Sequence, residues 1–219
     1  MRALTPLEAR VLGVLVEKQA TVPDTYPLSL NGLVSGCNQK TARDPVMAVD
    51  ESDVLAALDG LKQLALVVET SGSRVVKFEH NAARALGLPG QAVALLATLV
   101  LRGPQTAAEL RVNCERVYRF ADISSVEGFL EELAAKQPPR VRHLARAPGE
   151  RESRWAHLLC GEPVSVVKAP GGESPLAGEA LGAVELAALK AEQTRLARQV
   201  EMLQGQVVRL MRELGLSPE

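Results

Sequence analysis

Residues 52–78, SDVLAALDGLKQLALVVETSGSRVVKF, join a helical pattern directly to a strand pattern. Two β-branched runs, 67–70 and 74–78, lie on either side of a short glycine-containing turn at 71–73, which predicts a two-stranded hairpin. Before the hairpin, apolar residues recur at the 3.6-residue spacing of a helix with one buried face. Its inward side chains are predicted to be Val54, Leu55, Leu58, Leu61 and Leu64.

Two further helices precede this segment. Thr5, Pro6 and Glu8 form a helix start, because threonine caps the first turn, proline fits the first helical position and the glutamate completes a capping box. A second helix is predicted over residues 29–37. Three helices followed by a hairpin is the order of a winged-helix domain, which we place at residues 1–82.

The same order recurs after a Gly- and Pro-rich break at 87–90. Three helical patterns lead to a second predicted hairpin, with strands at 141–146 and 154–158. The apolar residues of the two third helices correspond at a constant spacing of 72 positions: Val54, Leu58 and Leu61 with Val126, Leu130 and Leu133. The sequence therefore predicts a mainly α fold with small β-hairpins (α+β), built of two tandem winged-helix domains, the second at residues 88–160.

The remaining residues predict a linker and a coiled-coil helix. Residues 161–179 are rich in Pro and Gly, which disfavour both helix and strand. Residues 180–215 carry a heptad repeat, which predicts a homodimer; the alternative is a helix that packs against its own domains. The predicted dimerisation residues are Leu186, Leu189, Gln193, Leu196, Val200, Leu203, Val207, Leu210 and Leu214.

Composition limits the function. The 25 Lys and Arg are balanced by 26 Asp and Glu, so any surface for a polyanion must be local. Aromatic residues make up only 3%, which disfavours stacking on single-stranded nucleic acid. The three cysteines show no metal-ligand spacing and predict free thiols in a reducing compartment. Because no apolar run is long enough to span a membrane, we expect a cytoplasmic protein that makes no membrane contact.

No catalytic constellation is evident in the sequence. The three histidines, His80, His143 and His157, have no cysteine or aspartate partner nearby in sequence, and no glycine-rich phosphate loop follows a strand. We therefore expect neither an enzyme nor a resident metal or cofactor. A binding function is the remaining expectation.

The predicted contacts to nucleic acid lie outside the third helices. A recognition helix enters the major groove and neighbouring cations contact phosphates, whereas both third helices here carry acidic residues. The contacts are instead expected at Asn38, Gln39, Lys40, Arg43, Arg74, Lys77, Arg140, Arg142, Arg146, Arg151 and Arg154. Two alternatives remain open. The polar residues near Asn38 could cap the flanking helices, with Arg43 paired to Asp44 or Asp50, and the second-wing arginines could form a solvated face paired with nearby glutamates.

Several stretches of the sequence resemble the bacterial YceH family. They are LTPLEARVLG at 4–13, TYPLSLN at 25–31, CNQKTARDPVM at 37–47 and LRGPQT at 101–106, followed by Glu109, Leu110 and Arg111. The long polar stretch at 38–47 is the most specific of these. The resemblance implies two winged-helix units, a C-terminal helix and an assumed DNA-binding role, with no catalytic residues. It also marks Asn38, Gln39, Lys40, Arg43 and Asp44 as the motif to test.

Two functional hypotheses follow. The first is a dimeric, non-enzymatic protein of transcription-regulator type that binds double-stranded DNA through its wings and the residues near Lys40. The second is a protein-interaction adaptor that uses acidic third helices and a coiled coil. A continuous positive stripe across both units would favour DNA, and an acidic or hydrophobic surface would favour the adaptor.

Overall fold

The computed structural model describes residues 1–70, 75–146 and 152–162, which have a mixed α+β fold with seven helices and small antiparallel sheets. The helices are α1 (Pro6–Thr21), α2 (Leu30–Cys37), α3 (Glu51–Gln63), α4 (Ala82–Leu86), α5 (Gly90–Arg102), α6 (Ala107–Cys114) and α7 (Ile123–Ala135). The strands are β1 (Leu28–Ser29), β2 (Val67–Thr70), β3 (Lys77–His80), β4 (Val141–His143) and β5 (Trp155–His157). The order helix, helix, helix, hairpin therefore occurs twice.

Short polar side chains begin most of these helices. Thr5, Ser29, Asp50, Thr106 and Asp122 each accept a hydrogen bond from a backbone N–H in the first turn of the helix that follows. These bonds satisfy donors that a helix leaves unpaired at its start. The capping box predicted at the start of α1 is confirmed, and α3 and α6 have one as well.

The first half of the described structure comprises α1 to β3 and the second half comprises α5 to β5, and their sheets have a common plan. In the first half the strand order is β1-β3-β2, and Leu28 pairs with Phe78. In the second half β4 pairs with β5, and Gln105 forms an isolated antiparallel bridge with Trp155. Gln105 therefore occupies the place of β1, because both segments lie just before the second helix and pair with the last strand.

The second helices and the residues that precede them correspond closely. At a constant spacing of 77 positions the cap, one fully buried leucine and the final buried cysteine agree: Ser29 with Thr106, Leu33 with Leu110, and Cys37 with Cys114. The third helices have 13 residues each and begin 72 positions apart. The difference arises between them, because the α2–α3 loop has 13 residues, 38–50, and the α6–α7 loop has eight, 115–122.

Several sequence predictions need correction. Leu55 was expected to face inward but its side chain is 44% exposed. The second strand of the first hairpin begins at Lys77 rather than at residue 74 and ends at His80. It is the central strand of its sheet, so its register depends on β1 as well as on β2. The two-residue β1 and the five-residue α4 were not predicted, because segments this short carry no periodic pattern.

One hydrophobic core runs through both halves. Helix α1 packs against α5, and there is so little space between them that a Cβ atom at Gly13 would lie 3.1 Å from the side chain of Leu101. The backbone N–H of Asp44 donates to the carbonyl of Leu101 at 2.7 Å, which fixes the α2–α3 loop to α5. The described residues form one compact unit. The predicted domain limits, at the first residue of α4 (82) and just after its end (88), fall inside this unit and remain a prediction.

The described part of the chain ends at Glu162. Most of the predicted linker and the whole predicted coiled-coil helix with its nine heptad residues lie outside the described residues, as do Arg74 and Arg151. Among the residues described, none of the helices has both the length and the apolar content that a membrane crossing requires. In the same ranges, no three His, Cys, Asp or Glu side chains are grouped so that they could hold a metal ion.

Candidate binding surfaces

The α2–α3 loop is closed by the side chain of Asn38. Its Nδ2 donates to the carbonyl of Val49, and its Oδ1 accepts from the backbone N–H of Val49, both at 2.8 Å. The two bonds reproduce the pairing of one residue with another in an antiparallel ladder. Asn38 therefore holds the two ends of the loop together, and both polar atoms of its side chain are used for this purpose.

Arg43 lies inside the protein. Its Nη2 donates to Oε2 of Glu17 at 2.6 Å and its Nη1 donates to Oε1 at 3.1 Å, while Nε donates to the carbonyl of Gly36. No part of the Arg43 side chain is accessible to solvent, so a DNA phosphate cannot reach it. The pairing with an acidic residue was anticipated, but the partner is Glu17 on α1 rather than Asp44 or Asp50.

The Glu17 carboxylate is stabilised in its charged form. Burial is the largest influence and raises the pKa of Glu17, but the hydrogen bonds and charge of Arg43, with a smaller contribution from Lys18, outweigh it. The net effect holds the pKa below its ordinary value. The Arg43–Glu17 pair thus connects the α2–α3 loop to α1 through a buried, bidentate ion pair.

A second buried arginine, Arg10, was missed at the sequence level. It is 1% exposed and donates to the carbonyls of Pro45 at 2.7 Å and Cys37 at 3.3 Å. Burial lowers the pKa of Arg10, and the charge of Arg43 lowers it further. The only signal in the sequence is a lone arginine within the apolar face of α1. Together, Arg10 and Arg43 show that much of the polar 38–47 motif holds the loop in place.

The other candidate residues of the first half remain accessible to different degrees. Lys40 is exposed. Gln39 is half-buried, and its Oε1 accepts from Lys18 at 3.3 Å and from Arg43 at 3.2 Å. Lys77, at the start of β3, is half-buried and lies together with Lys18 and Gln39 on the wall of a groove of about 560 Å³. Only Lys40 and Lys77 therefore remain as phosphate contacts in the described part of the first half.

The arginines of the second hairpin are partly paired with carboxylates. Arg154 donates to Oε2 of Glu109 at 2.8 Å, and Arg142 donates to Glu162 at 2.7 Å. Arg140 is half-buried, and its Nε has no hydrogen-bond partner among the described residues. Arg146 is exposed. Pairing with carboxylates was anticipated, and among the described residues Glu109 and Glu162 supply it.

The exposed faces of the two third helices are acidic. On α3 the exposed ionisable groups are Glu51, Asp53, Asp59 and Lys62, and the Lys62 ammonium lies 2.9 Å from Asp59 and 3.3 Å from Glu69. On α7 they are Glu127, Glu131 and Glu132. Leu55 and Ile123 add exposed apolar area to these faces. Both third helices therefore present exposed carboxylates and one exposed large apolar side chain.

Comparison with known proteins gives a family for the chain. Residues 4–150 match the model of a family described as "Protein of unknown function, DUF480". A UPF0502 protein of Leptothrix cholodnii is 64% identical over 217 residues, which cover 99% of this chain and 97% of that protein. A UPF0502 protein of Cupriavidus taiwanensis is 61% identical over 219 residues, which cover 100% of this chain and 90% of that protein. The chain therefore belongs to the DUF480 (UPF0502) family of bacterial proteins.

Proposed function

We propose that each half of the described structure is a winged-helix unit. The support is the order of elements, in which a short β segment lies between the first and second helices and pairs with the last strand of the hairpin. This arrangement occurs at β1 and again at Gln105. In the units that we propose, α3 and α7 correspond to the recognition helix of a helix-turn-helix protein. The resemblance to YceH proteins implies the same pair of units.

We further propose that the protein is a non-enzymatic adaptor and that α3 and α7 bind a protein partner with a basic surface. The observation that carries this proposal is the set of exposed carboxylates on both helices, with Glu51 and Asp53 in the first turn of α3. A carboxylate facing a phosphate is repelled by about 1 kcal/mol at 4 Å even in bulk water. A basic protein surface reverses the sign of this interaction, and the apolar side chains at Leu55 and Ile123 add area to bury.

Double-stranded DNA is the second candidate partner. A specific observation favours it, because Lys40 and Arg146 are exposed and neither forms an ion pair within residues 1–70, 75–146 and 152–162. Such cations could contact phosphates beside the third helices. Among the predicted contacts, however, Arg43 is buried and Arg142 and Arg154 are paired with glutamates. Fewer arginine and lysine side chains are therefore available for phosphate contacts than the sequence predicts.

Photo-crosslinking separates the two candidates. Benzoylphenylalanine is placed at Leu55 on α3 or at Glu127 on α7, and at exposed Arg84 on α4 as a control, in the full-length protein in its native host. The adaptor proposal expects the same protein adduct from both helices and not from the control. Reversal of charge at Glu131, by Glu131→Lys, should reduce the α7 adduct at least about fivefold, because it replaces attraction by repulsion. An adduct that is indifferent to this change would contradict the proposal.

Fluorescence anisotropy with a 30-base-pair duplex completes the test. The adaptor proposal expects no salt-sensitive binding of the purified protein at low ionic strength. Micromolar binding that weakens with salt and with the charge reversal Lys40→Glu would overturn the adaptor in favour of DNA. Each candidate thus has a result that only it predicts.

We also propose that the heptads at 180–215 form a homodimer, from the sequence pattern alone. The chain has a mass of 23.4 kDa, so light scattering of the full-length protein should give about twice that value. Substitution of two heptad leucines, Leu196→Asp together with Leu203→Asp, should return the monomer mass. A monomer in the unsubstituted protein would refute the dimer.

A further inference from the structure

A groove opens beside the first hairpin. Its walls come from the end of α1, β1, the outer face of α2 and the start of β3, and its volume is about 560 Å³. This volume is in the range of small-molecule sites. The polar side chains on its walls are Lys18, Thr25, Ser29, Ser35, Gln39 and Lys77. Lys18 and Lys77 therefore both line one concave space.

In the second half of the chain, the place that corresponds to the groove is occupied by the carboxylate of Glu109. At the spacing of 77 positions, Lys77 corresponds to Arg154, because Lys77 is paired with the helix cap Ser29 and Arg154 precedes the bridge from Trp155 to Gln105. The Glu109 carboxylate lies against Arg154, with Nη1 donating to Oε2 at 2.8 Å. The same oxygen accepts from the backbone N–H of Thr106 at 3.0 Å. A carboxylate is thus held between a hairpin cation and the start of the second helix.

The first half retains the donors but lacks the carboxylate. The residue that corresponds to Glu109 is Gly32, which lies on the wall of the groove. Within the part of the chain that the structure describes, no hydrogen bond or ion pair reaches the ammonium of Lys77, which is half-buried. The nearest acidic side chain to Lys18 is Glu17, and its two oxygens already bind Arg43. The groove therefore carries a net positive charge.

We propose that this groove binds a small ligand through an anionic carboxylate or phosphate group, which takes the place that the Glu109 carboxylate occupies in the second half. Lys77 binds the anion as Arg154 binds Glu109, and the backbone N–H of Ser29 corresponds to that of Thr106. Lys18, which donates to Oε1 of Gln39 at 3.3 Å, lines the same groove and supplies a second positive charge. The groove does not include α3 or α7, so the proposal stands independently of the adaptor function.

A carboxylate can be placed in the groove by substitution of Gly32, so that a side chain of the protein takes the place of the ligand. A Cβ atom at Gly32 would have its nearest neighbour, Oγ of Ser29, at 3.5 Å, which is ordinary contact. Gly32→Glu should therefore be accommodated and should reproduce the Glu109 arrangement, with a capping box to Ser29 and an ion pair to Lys77. Gly32→Ala adds only the Cβ atom and leaves the anion position open. The two variants differ in the carboxylate-bearing part of the side chain alone.

Titration calorimetry of the full-length protein tests the site. The probes at low ionic strength are inorganic phosphate and pyrophosphate, which represent phosphate ligands, and malonate and citrate, which represent carboxylate ligands. We expect a dissociation constant of about 1 mM or lower for at least one probe. Lys77→Gln should weaken binding at least about tenfold, since a charge-assisted contact is lost. Gly32→Glu should abolish it, whereas Gly32→Ala and the remote charge change Arg84→Gln should stay within about threefold.

Two results would overturn the proposal. One is the absence of binding of all four probes to the unsubstituted protein at 10-fold excess over the expected dissociation constant. The other is binding that is the same in Lys77→Gln and Gly32→Glu as in the unsubstituted protein, which would place the anion elsewhere. Neither result affects crosslinking from α3 and α7, so failure of the anion site and failure of the adaptor function are distinguishable.

Discussion

Removal of Arg43 tests the structural role that its burial indicates. In Arg43→Met, a side chain of similar length replaces the guanidinium, and the Glu17 carboxylate, only 17% exposed, loses both of its bonds to the cation. Breaking a buried pair by removing one partner costs about 3–5 kcal/mol. Because Glu17 retains Lys18 at 3.3 Å, we expect the lower end, about 3 kcal/mol. For a chain of this size the midpoint of thermal unfolding should fall by about 6–12 °C.

Circular dichroism during urea and thermal unfolding measures this change. The double variant Glu17→Gln/Arg43→Met should recover at least about 1 kcal/mol relative to Arg43→Met, because no charge is then left unpaired. Lys40→Met is the matched control, since Lys40 belongs to the same loop but is exposed, and its effect should stay within about 0.5 kcal/mol. A loss below about 0.5 kcal/mol in Arg43→Met would refute the assignment of Arg43 as a structural residue.

Three further predictions concern the same region. The pKa of Glu17 is lowered in the folded state, so the charged carboxylate contributes to the free energy of unfolding at neutral pH, and this contribution is lost as pH falls through that pKa. The difference in the free energy of unfolding between the unsubstituted protein and Arg43→Met should therefore shrink from pH 7 to pH 3.5 in urea titrations. Gly36→Ala would place a Cβ atom 2.6 Å from Cγ1 of buried Val14 and should cost about 1–3 kcal/mol by thermal unfolding. Burial raises the pKa of Cys37 to about 11, so Ellman's reagent should label this thiol only after unfolding, as mapped by mass spectrometry.

Each of these predictions has a contradicting result. A stability difference that is constant with pH would mean that Glu17 is not the group whose charge Arg43 stabilises. For Gly36→Ala, the control is Gly32→Ala in the same helix, where a Cβ atom would meet no close contact. This control substitution should stabilise the protein by about 1 kcal/mol, because alanine has the higher helix propensity. Equal effects at the two glycines would contradict the packing argument. Rapid labelling of Cys37 in the folded protein would show that the α2–α3 loop opens readily.

The helices were predictable from the sequence because their signals are local. The cap at Thr5, the apolar spacing of α3 and the glycine-containing turn act within a few residues, and the structure confirms the elements that they predict. Strand β1 was not predictable, since two residues have no period and the pairing of Leu28 with Phe78 spans 50 positions. Exposure of Leu55 was also missed, because a leucine next to the buried stripe fits the same helical pattern.

The candidate site was harder to predict because charge in a sequence does not show where its partner lies. Arg43 belongs to a polar run that reads as a surface loop, and only the fold brings it to Glu17, 26 positions earlier. The groove was hidden for a related reason. The spacing of 72 positions that relates α3 to α7 does not apply before the longer α2–α3 loop, and only the spacing of 77 sets Gly32 against Glu109.

In the adaptor that we propose, the hydrophobic core shared by the two halves would fix the distance between α3 and α7. The halves are joined where α1 packs on α5 and where the backbone N–H of Asp44 donates to the carbonyl of Leu101. Two sites on a partner would then have to match a spacing that the fold dictates, and a partner with one site displaced would lose the advantage of binding both at once. Selection among partners could therefore depend on distance as much as on the chemistry of either surface.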